Sequence, residues 1–176
     1  MRVLFVCTGN LCRSPMAEAI LRSAVEGRGL DGIEISSAGT WATDGSPATN
    51  EAIRALDALG IDLTAHRSRS LTREALDRAD LVVAMTSVHV HEIEDLAPHA
   101  LTKVRLMKEL AEIRPAPAWV DASGGLRALL AGERPASRRS LDVDDPIGLG
   151  PNAYRRCVSD LMAGVAAMVD AIDSRS

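Results

Sequence analysis

The chain has 176 residues, 47% of them hydrophobic, and a formal net charge of −4. That is long enough for one domain with a substantial core, and it carries no basic excess with which to hold nucleic acid. Three cysteines do not make a disulfide framework. No apolar run approaches the roughly 20 residues that span a bilayer, and the chain opens on a strand pattern rather than a leader, so a cytoplasmic protein without membrane or nucleic-acid partners is expected.

Only Phe5, Trp41, Trp119 and Tyr154 are aromatic. The core is therefore expected to be Ala, Leu, Val and Ile packing, which makes a loop aromatic such as Trp41 stand out. Short apolar runs alternate with helical patterns, the rhythm of a parallel α/β fold. Residues 2–6 read as a first strand, followed by a helix from Ser14 to about Glu26. Ile33 to Ser37 alternates as a second strand and leads into Ala38-Gly39-Thr40. Beyond the loop holding Trp41, Gly45 and Pro47, a helix is expected near 47–59, ending at Gly60. Thr72 starts a short helix. Leu81 to Met85 is a buried third strand, a helix follows near 88–96, and Val104-Arg105-Leu106 is a weaker fourth strand. Residues 112–141, rich in Pro and Gly, read as a long surface insertion in a single domain spanning 1–176. A closing helix runs from about Asn152 to Asp173 at helical spacing.

The chemistry sits at the end of the first strand, in Cys7-Thr8-Gly9-Asn10-Leu11-Cys12-Arg13-Ser14-Pro15. A cysteine and an arginine separated by five residues, set between a strand and a helix, form a phosphate-holding loop with a nucleophile inside it. Helix N-termini and arginine favour a reactive thiolate. Here Arg13 closes the loop, and the helix from Ser14 directs its positive end inward. Gly9 permits close backbone approach and, with Asn10, accepts left-handed geometry. The planar fork of Arg13 suits two equatorial phosphoryl oxygens, Ser14 can donate to the sulfur, and Pro15 fits the first helical turn. Thr8, Gly9, Asn10, Leu11 and Cys12 supply the cradle. The Gly-Lys-Ser ending of a nucleotide-binding loop is absent. A leaving-group acid is expected in the rigid turn Asp142-Val143-Asp144-Asp145-Pro146-Ile147-Gly148.

The stretch Val6 to Glu18 resembles the active-site loop of low-molecular-weight protein-tyrosine phosphatases. Ser37-Ala38-Gly39-Thr40, His66 to Thr72, Ala79 to Met85 and Asp145-Pro146-Ile147-Gly148 look like that family in the same order. The resemblance implies a three-layer α-β-α fold with a four-stranded parallel sheet, and a two-step reaction without metal or cofactor. Cys7 would attack phosphorus and Arg13 would clamp the transition state. Asp145, rather than its neighbour Asp144, would protonate the leaving group and then activate water. Phosphorylated proteins are the implied substrates and inorganic phosphate the product. The second loop cysteine, Cys12, corresponds in that family to a reversible disulfide partner of the nucleophile; a packing role beneath the loop is the other reading. Cys157, on an apolar helix face, reads as core.

Three features bear on substrate. Ile147 stands where tyrosine phosphatases of this family usually carry an aromatic pocket wall, and Trp41 is either the opposite wall or a partly buried loop aromatic. Bacterial protein-arginine phosphatases resemble the chain through Ala84-Met85-Thr86 and the Asp-Pro-x-Gly turn, but carry Thr in place of Leu11. Apolar Leu11 favours phosphotyrosine. Arsenate reductases of the same family need two further cysteines after the third strand, and Thr86 to Leu106 has none. His66 reads either as a brace for the loop or as a surface residue; His89, His91 and His99 read as solvated helix positions. A phosphotyrosine phosphatase is thus the leading expectation, with a protein-arginine phosphatase and a non-catalytic phosphate-binding regulator as alternatives.

Overall fold

A computed structural model describes residues 1–112, 130 and 141–173. The expected insertion at 112–141, together with Trp119, therefore falls largely outside the described residues.

Strand β1 (Arg2–Cys7) is buried from Val3 onward, as a strand covered on both faces must be. Its side chains alternate between two cores. Val3, Phe5 and Cys7 join Met16, Leu21, Leu161 and Val165 on one face, while Leu4 and Val6 join Val82, Val90, Ile93 and Leu106 on the other. Helix α1 (Arg13–Gly27) follows, then β2 (Glu34–Gly39), α2 (Asn50–Asp57), α3 (Arg73–Arg78), β3 (Leu81–Ala84) and α4 (Ser87–Leu96). A 3-10 turn over Pro98–Lys103 leads to β4 (Val104–Leu106), α5 (Met107–Glu112) and the long α6 (Pro151–Ile172). Side-chain caps define three starts: Thr49, Thr72 and Thr86 accept the backbone N–H of Ala52, Ala75 and His89. The α2 start at Asn50 rather than 47 follows from the Thr49 cap. The 3-10 turn and α5 carry no clear periodicity and were not expected.

All four strands are parallel in the order β2-β1-β3-β4. The chain runs outward from β1 to β2 on one side and to β3 on the other, so β1 lies beside a switch in strand order. In open α/β sheets ligands bind beyond the carboxyl ends of strands at such a switch. Here that place is Cys7, in register with Gly39 of β2. Helices α1, α5 and α6 pack together on one face, and α3 and α4 cover the other. The expected three-layer arrangement is the observed one. No helix among the described residues is long and apolar enough to cross a membrane.

Candidate active site

The loop from Cys7 to Ser14 wraps the end of β1 and runs into α1, whose first turn places unpaired N–H groups and the positive end of the helix dipole at the loop. Its shape rests on Asn10, the one non-glycine residue with positive φ (54°) among the described residues. The left-handed backbone thus falls on Asn10 and not on Gly9. An Asn tolerates this conformation when its side chain is anchored, and Asn10 is anchored at both side-chain polar atoms and at its carbonyl. Nδ2 donates to Ser14 Oγ at 2.9 Å and to Ser37 Oγ at 2.8 Å, and Oδ1 accepts from Arg69 N at 2.9 Å. Its carbonyl lies 2.8 Å from His66 Nε2, which must be the donor because a carbonyl only accepts. His66 is therefore a brace of the loop.

These bonds orient the hydroxyl beside the sulfur. Ser14 Oγ already accepts from Asn10, so its proton goes elsewhere: Cys7 Sγ is 2.9 Å away and the Ala38 carbonyl 3.4 Å. When Cys7 is a thiolate its sulfur can only accept, and Ser14 is then the donor to it. Ser37, accepting from Asn10, passes its own proton to Glu18 Oε2 at 2.6 Å. Asn10 Nδ2 thus joins two arms, one ending on the Glu18 carboxylate through Ser37 and the other reaching the sulfur through Ser14.

Arg13 is buried, and two of its five N–H donors are shown in use. Nη1 donates to the Val143 carbonyl at 3.2 Å and Nη2 to Asp145 Oδ2 at 2.6 Å, while Nε is buried without a partner. An unpaired buried guanidinium N–H is costly unless something binds there, and an anion in the loop would give it an acceptor. Asp145 is fixed further by the Ile147 N–H, which donates to Oδ1 at 3.1 Å. Asp144 and Asp145 are both exposed, but of the two it is Asp145 that reaches the loop, through its contact with Arg13. Asp142 instead accepts from Ser87 N at 2.7 Å at the start of α4.

Cys12 is buried with its sulfur 3.9 Å from Asp145 Oδ1. Burial, with the nearby Cys7 and Asp145, pushes its thiol up to about 12, so it stays protonated at neutral pH. Cys157 packs in the core on α6, and burial raises its thiol too. All three cysteines are free.

Around the mouth, Trp41 is 76% exposed rather than partly buried, and Ile147 is 49% exposed. Leu11 is half-buried, its carbonyl accepting from Thr49 N. Trp41 is tied down at both ends, its backbone N–H to the Thr8 carbonyl and its indole N–H to Glu92 Oε1, both at about 2.9 Å or less.

Two residues depart from expectation. His89 is not a solvated helix position: it is 2% exposed, with Nε2 2.9 Å from Thr8 Oγ1 and Nδ1 2.8 Å from Thr86 Oγ1. Its place at the third residue of α4 turns it back toward the sheet end, which periodicity alone did not distinguish from a solvent-facing position. His91 and His99 are exposed as expected. Gly39 is the other: a Cβ there would lie 2.4 Å from the Thr8 carbonyl and 2.9 Å from Asn10 N. The signal was present as Ala38-Gly39-Thr40 at a strand end, but only the fold shows what crowds it.

Residues 2–118 match the family model described as low molecular weight phosphotyrosine protein phosphatase. The chain belongs to this family. A low molecular weight protein-tyrosine-phosphatase of Streptomyces coelicolor is 35% identical over 97% of this chain and 93% of its own length. A protein-arginine-phosphatase of Geobacillus stearothermophilus is 46% identical over 108 residues, 61% of this chain and 70% of its own. Solved structures superpose along the whole fold. A low molecular weight protein tyrosine phosphatase from T. tengcongensis gives a TM-score of 0.76 at 34% identity, covering 96% of this chain and 97% of that one. An arginine phosphatase from Geobacillus stearothermophilus gives 0.76 at 32%, covering 99% and 94%. This phosphatase thus has relatives of both substrate names, and its own pocket wall has to be weighed between them.

Proposed function

We propose that this phosphatase is a cytoplasmic, metal-independent enzyme that hydrolyses phosphotyrosine in proteins through a cysteinyl-phosphate. Cys7 attacks phosphorus as the bond to the tyrosyl oxygen breaks. Asp145, as the acid, gives its proton to that departing oxygen. The resulting carboxylate takes a proton from water, which attacks phosphorus and breaks the S–P bond. Inorganic phosphate leaves, and the Ser14 hydroxyl supports the returning thiolate. Arg13 neutralises charge on the equatorial oxygens throughout, where phosphoryl transfer needs it most.

The observation that carries this reading is what one loop holds: the Ser14 hydroxyl on Cys7 Sγ, and the unpaired Nε of Arg13 beside an ion pair to Asp145. A phosphate-binding regulator has no need of a hydroxyl aimed at sulfur or of a carboxylate at the mouth. Replacing Cys7 by Ser is expected to abolish turnover of an aryl phosphate while inorganic phosphate or vanadate still binds. Full activity in that variant overturns the mechanism.

Phosphotyrosine is favoured over phosphoarginine by the apolar wall, half-buried Leu11 and exposed Ile147 with Trp41 nearby. A flat aromatic ring gains from such surfaces. The 46% identity to a protein-arginine-phosphatase supports the second reading, hydrolysis of phosphoarginine. Kinetics on matched phosphotyrosyl, phosphoarginyl and phosphoseryl peptides, for wild type and Leu11→Thr, decide between them. A wild type that prefers phosphoarginine overturns the reading of Leu11.

A further inference from the structure

The phosphatase reading uses Cys7, Ser14, Arg13 and Asp145, and leaves one buried polar arrangement at the pocket unassigned. Thr8 follows the nucleophile directly, is exposed, and carries a hydroxyl 2.9 Å from the buried His89. We propose that His89 is a positioning residue that, through its contact with Thr8, aims the Thr8 hydroxyl out of the loop as a hydrogen-bond donor to the oxygen of the departing group.

The argument is one of proton counting. Thr86 Oγ1 accepts the backbone N–H of His89 at 3.4 Å, which closes the first turn of α4. Its own hydrogen then has His89 Nδ1 as its acceptor, 2.8 Å away. A hydroxyl has one hydrogen, and a neutral imidazole has one N–H. With Nδ1 accepting, that N–H sits on Nε2 and points at Thr8 Oγ1. The opposite tautomer would have Thr86 take two donors and leave its own hydrogen with no protein acceptor among the described residues. Burial, with the charge of Arg13 second, lowers His89 to about 4, so the ring is neutral at the pH where the enzyme works. Thr8 therefore accepts from His89 and keeps its own O–H for the exposed side.

The same helix holds both flanks of the mouth. His89 and Glu92 lie three residues apart on one face of α4; the first bonds Thr8 and the second bonds the Trp41 indole. Thr8 and Trp41 are joined in turn by a backbone bond from Trp41 N to the Thr8 carbonyl at 2.9 Å. The leaving oxygen lies in line with Cys7 on the outer side of phosphorus, and a donor fixed by a rigid helix at the exposed rim of the loop acts where charge develops as that bond breaks. Once the leaving group has gone, it has nothing further to do.

This proposal rests on the phosphatase reading, and its signature is specific to the first chemical step. The purified protein is assayed on an aryl phosphate as wild type, Thr8→Val, His89→Leu, His89→Gln and the Thr8→Val/His89→Leu double variant. Thr8→Val and His89→Leu should each lower kcat/KM by roughly 3–10-fold, the worth of one hydrogen bond. Thr8 belongs to the cradle through its backbone N–H, which Val retains, so the inhibition constant of inorganic phosphate, which has no leaving group, should stay within about twofold of wild type. The double variant should be no worse than Thr8→Val alone, because His89 acts through Thr8. His89→Gln, with an amide near the place of Nε2, should regain at least half of the loss. Additive losses, or a phosphate constant that rises in step with the loss in kcat/KM, overturn the proposal in favour of loop packing. If His89→Leu does not fold, Thr8→Val alone decides: a kcat/KM equal to wild type overturns it. A wild type inert on aryl phosphate overturns the phosphatase reading and this proposal with it, whereas an active wild type with additive losses overturns this proposal alone.

Discussion

Arg13 and Asp145 meet at 2.6 Å across the mouth of the loop, with the arginine side chain buried and the carboxylate 47% exposed. The pair has two consequences in opposite directions. It orients the guanidinium, and it also occupies one arm of the fork with a negative charge that an incoming phosphate must displace or share. Because Asp145 is half exposed, water weakens its attraction and its repulsion alike. Competition for the fork is then the larger effect.

Removing that competitor should separate binding from turnover. Asp145→Ala is expected to lose most activity on phenyl phosphate, whose leaving group needs a proton, and much less on an activated aryl phosphate. The same variant should bind inorganic phosphate roughly 3–10-fold more tightly, as Arg13 loses its resident anion. Titration calorimetry with phosphate measures this without turnover. Weaker binding would show that the ion pair serves to pre-orient Arg13.

The loop's chemistry was legible because it is local. Cys7, Arg13, Ser14 and Asn10 lie within eight residues, and strand and helix patterns on either side fix how they face one another. The Pro and Gly around Asp145 marked a turn, while the choice of Asp145 over Asp144 came from the family resemblance, and the fold brings Asp145 to Arg13. What escaped was long-range. His89 contacts Thr8 across 81 positions of sequence, and a helix pattern does not say which end of the sheet its first turn overlies. Gly39 likewise owes its constraint to a loop that precedes it by some thirty residues, and no local pattern records a clash that only strand register creates.

Asn10 offers a way to weigh backbone strain against hydrogen bonding. Ala at this position would have to adopt φ near 54° and would abandon the bonds to Ser14, Ser37 and Arg69. Gly would abandon the same bonds without the strain. Both variants should lose at least tenfold in kcat/KM, because Ser14 is freed to turn from the sulfur. Asn10→Ala should unfold more easily than Asn10→Gly by about 1 kcal/mol, the left-handed penalty. Urea titration of the two variants measures that difference; equal stability would mean the loop relaxes out of the left-handed form.

His89 should make stability depend on pH in a defined window. Its folded value, about 4, lies below the ordinary 6.5, so the unfolded chain takes up the proton first. The contribution is fully present above pH 6.5 and is lost as pH falls from there to about 4. The full loss is of order 3 kcal/mol, from about 1.4 kcal/mol per pKa unit. Unfolding free energies at pH 7.5, 5.5 and 4.5 should therefore fall more steeply for wild type than for His89→Leu, with the two curves diverging only below pH 6.5. Parallel curves would mean that the buried imidazole is protonated at no cost.

Gly39 gives the sharpest steric test. Its position opposite Cys7 brings β2 so close to the loop that an added methyl carbon would sit 2.4 Å from the Thr8 carbonyl and 2.9 Å from Asn10 N. Neither atom belongs to a flexible side chain. The strain must move backbone, either the loop outward or the end of β2 away from β1, and the bond from Thr40 N to the Cys7 carbonyl at 2.9 Å holds the two together. Gly39→Ala is therefore expected to cost about 1–3 kcal/mol of stability, the usual range for overpacking. Because the displaced atoms are those of the phosphate cradle, activity should fall by more than a hundredfold even where the variant is still fully folded, and phosphate affinity should fall with it. Thermal unfolding and phosphate titration on one preparation test both parts. A folded Gly39→Ala enzyme with unchanged phosphate affinity would show that β2 yields and the cradle does not.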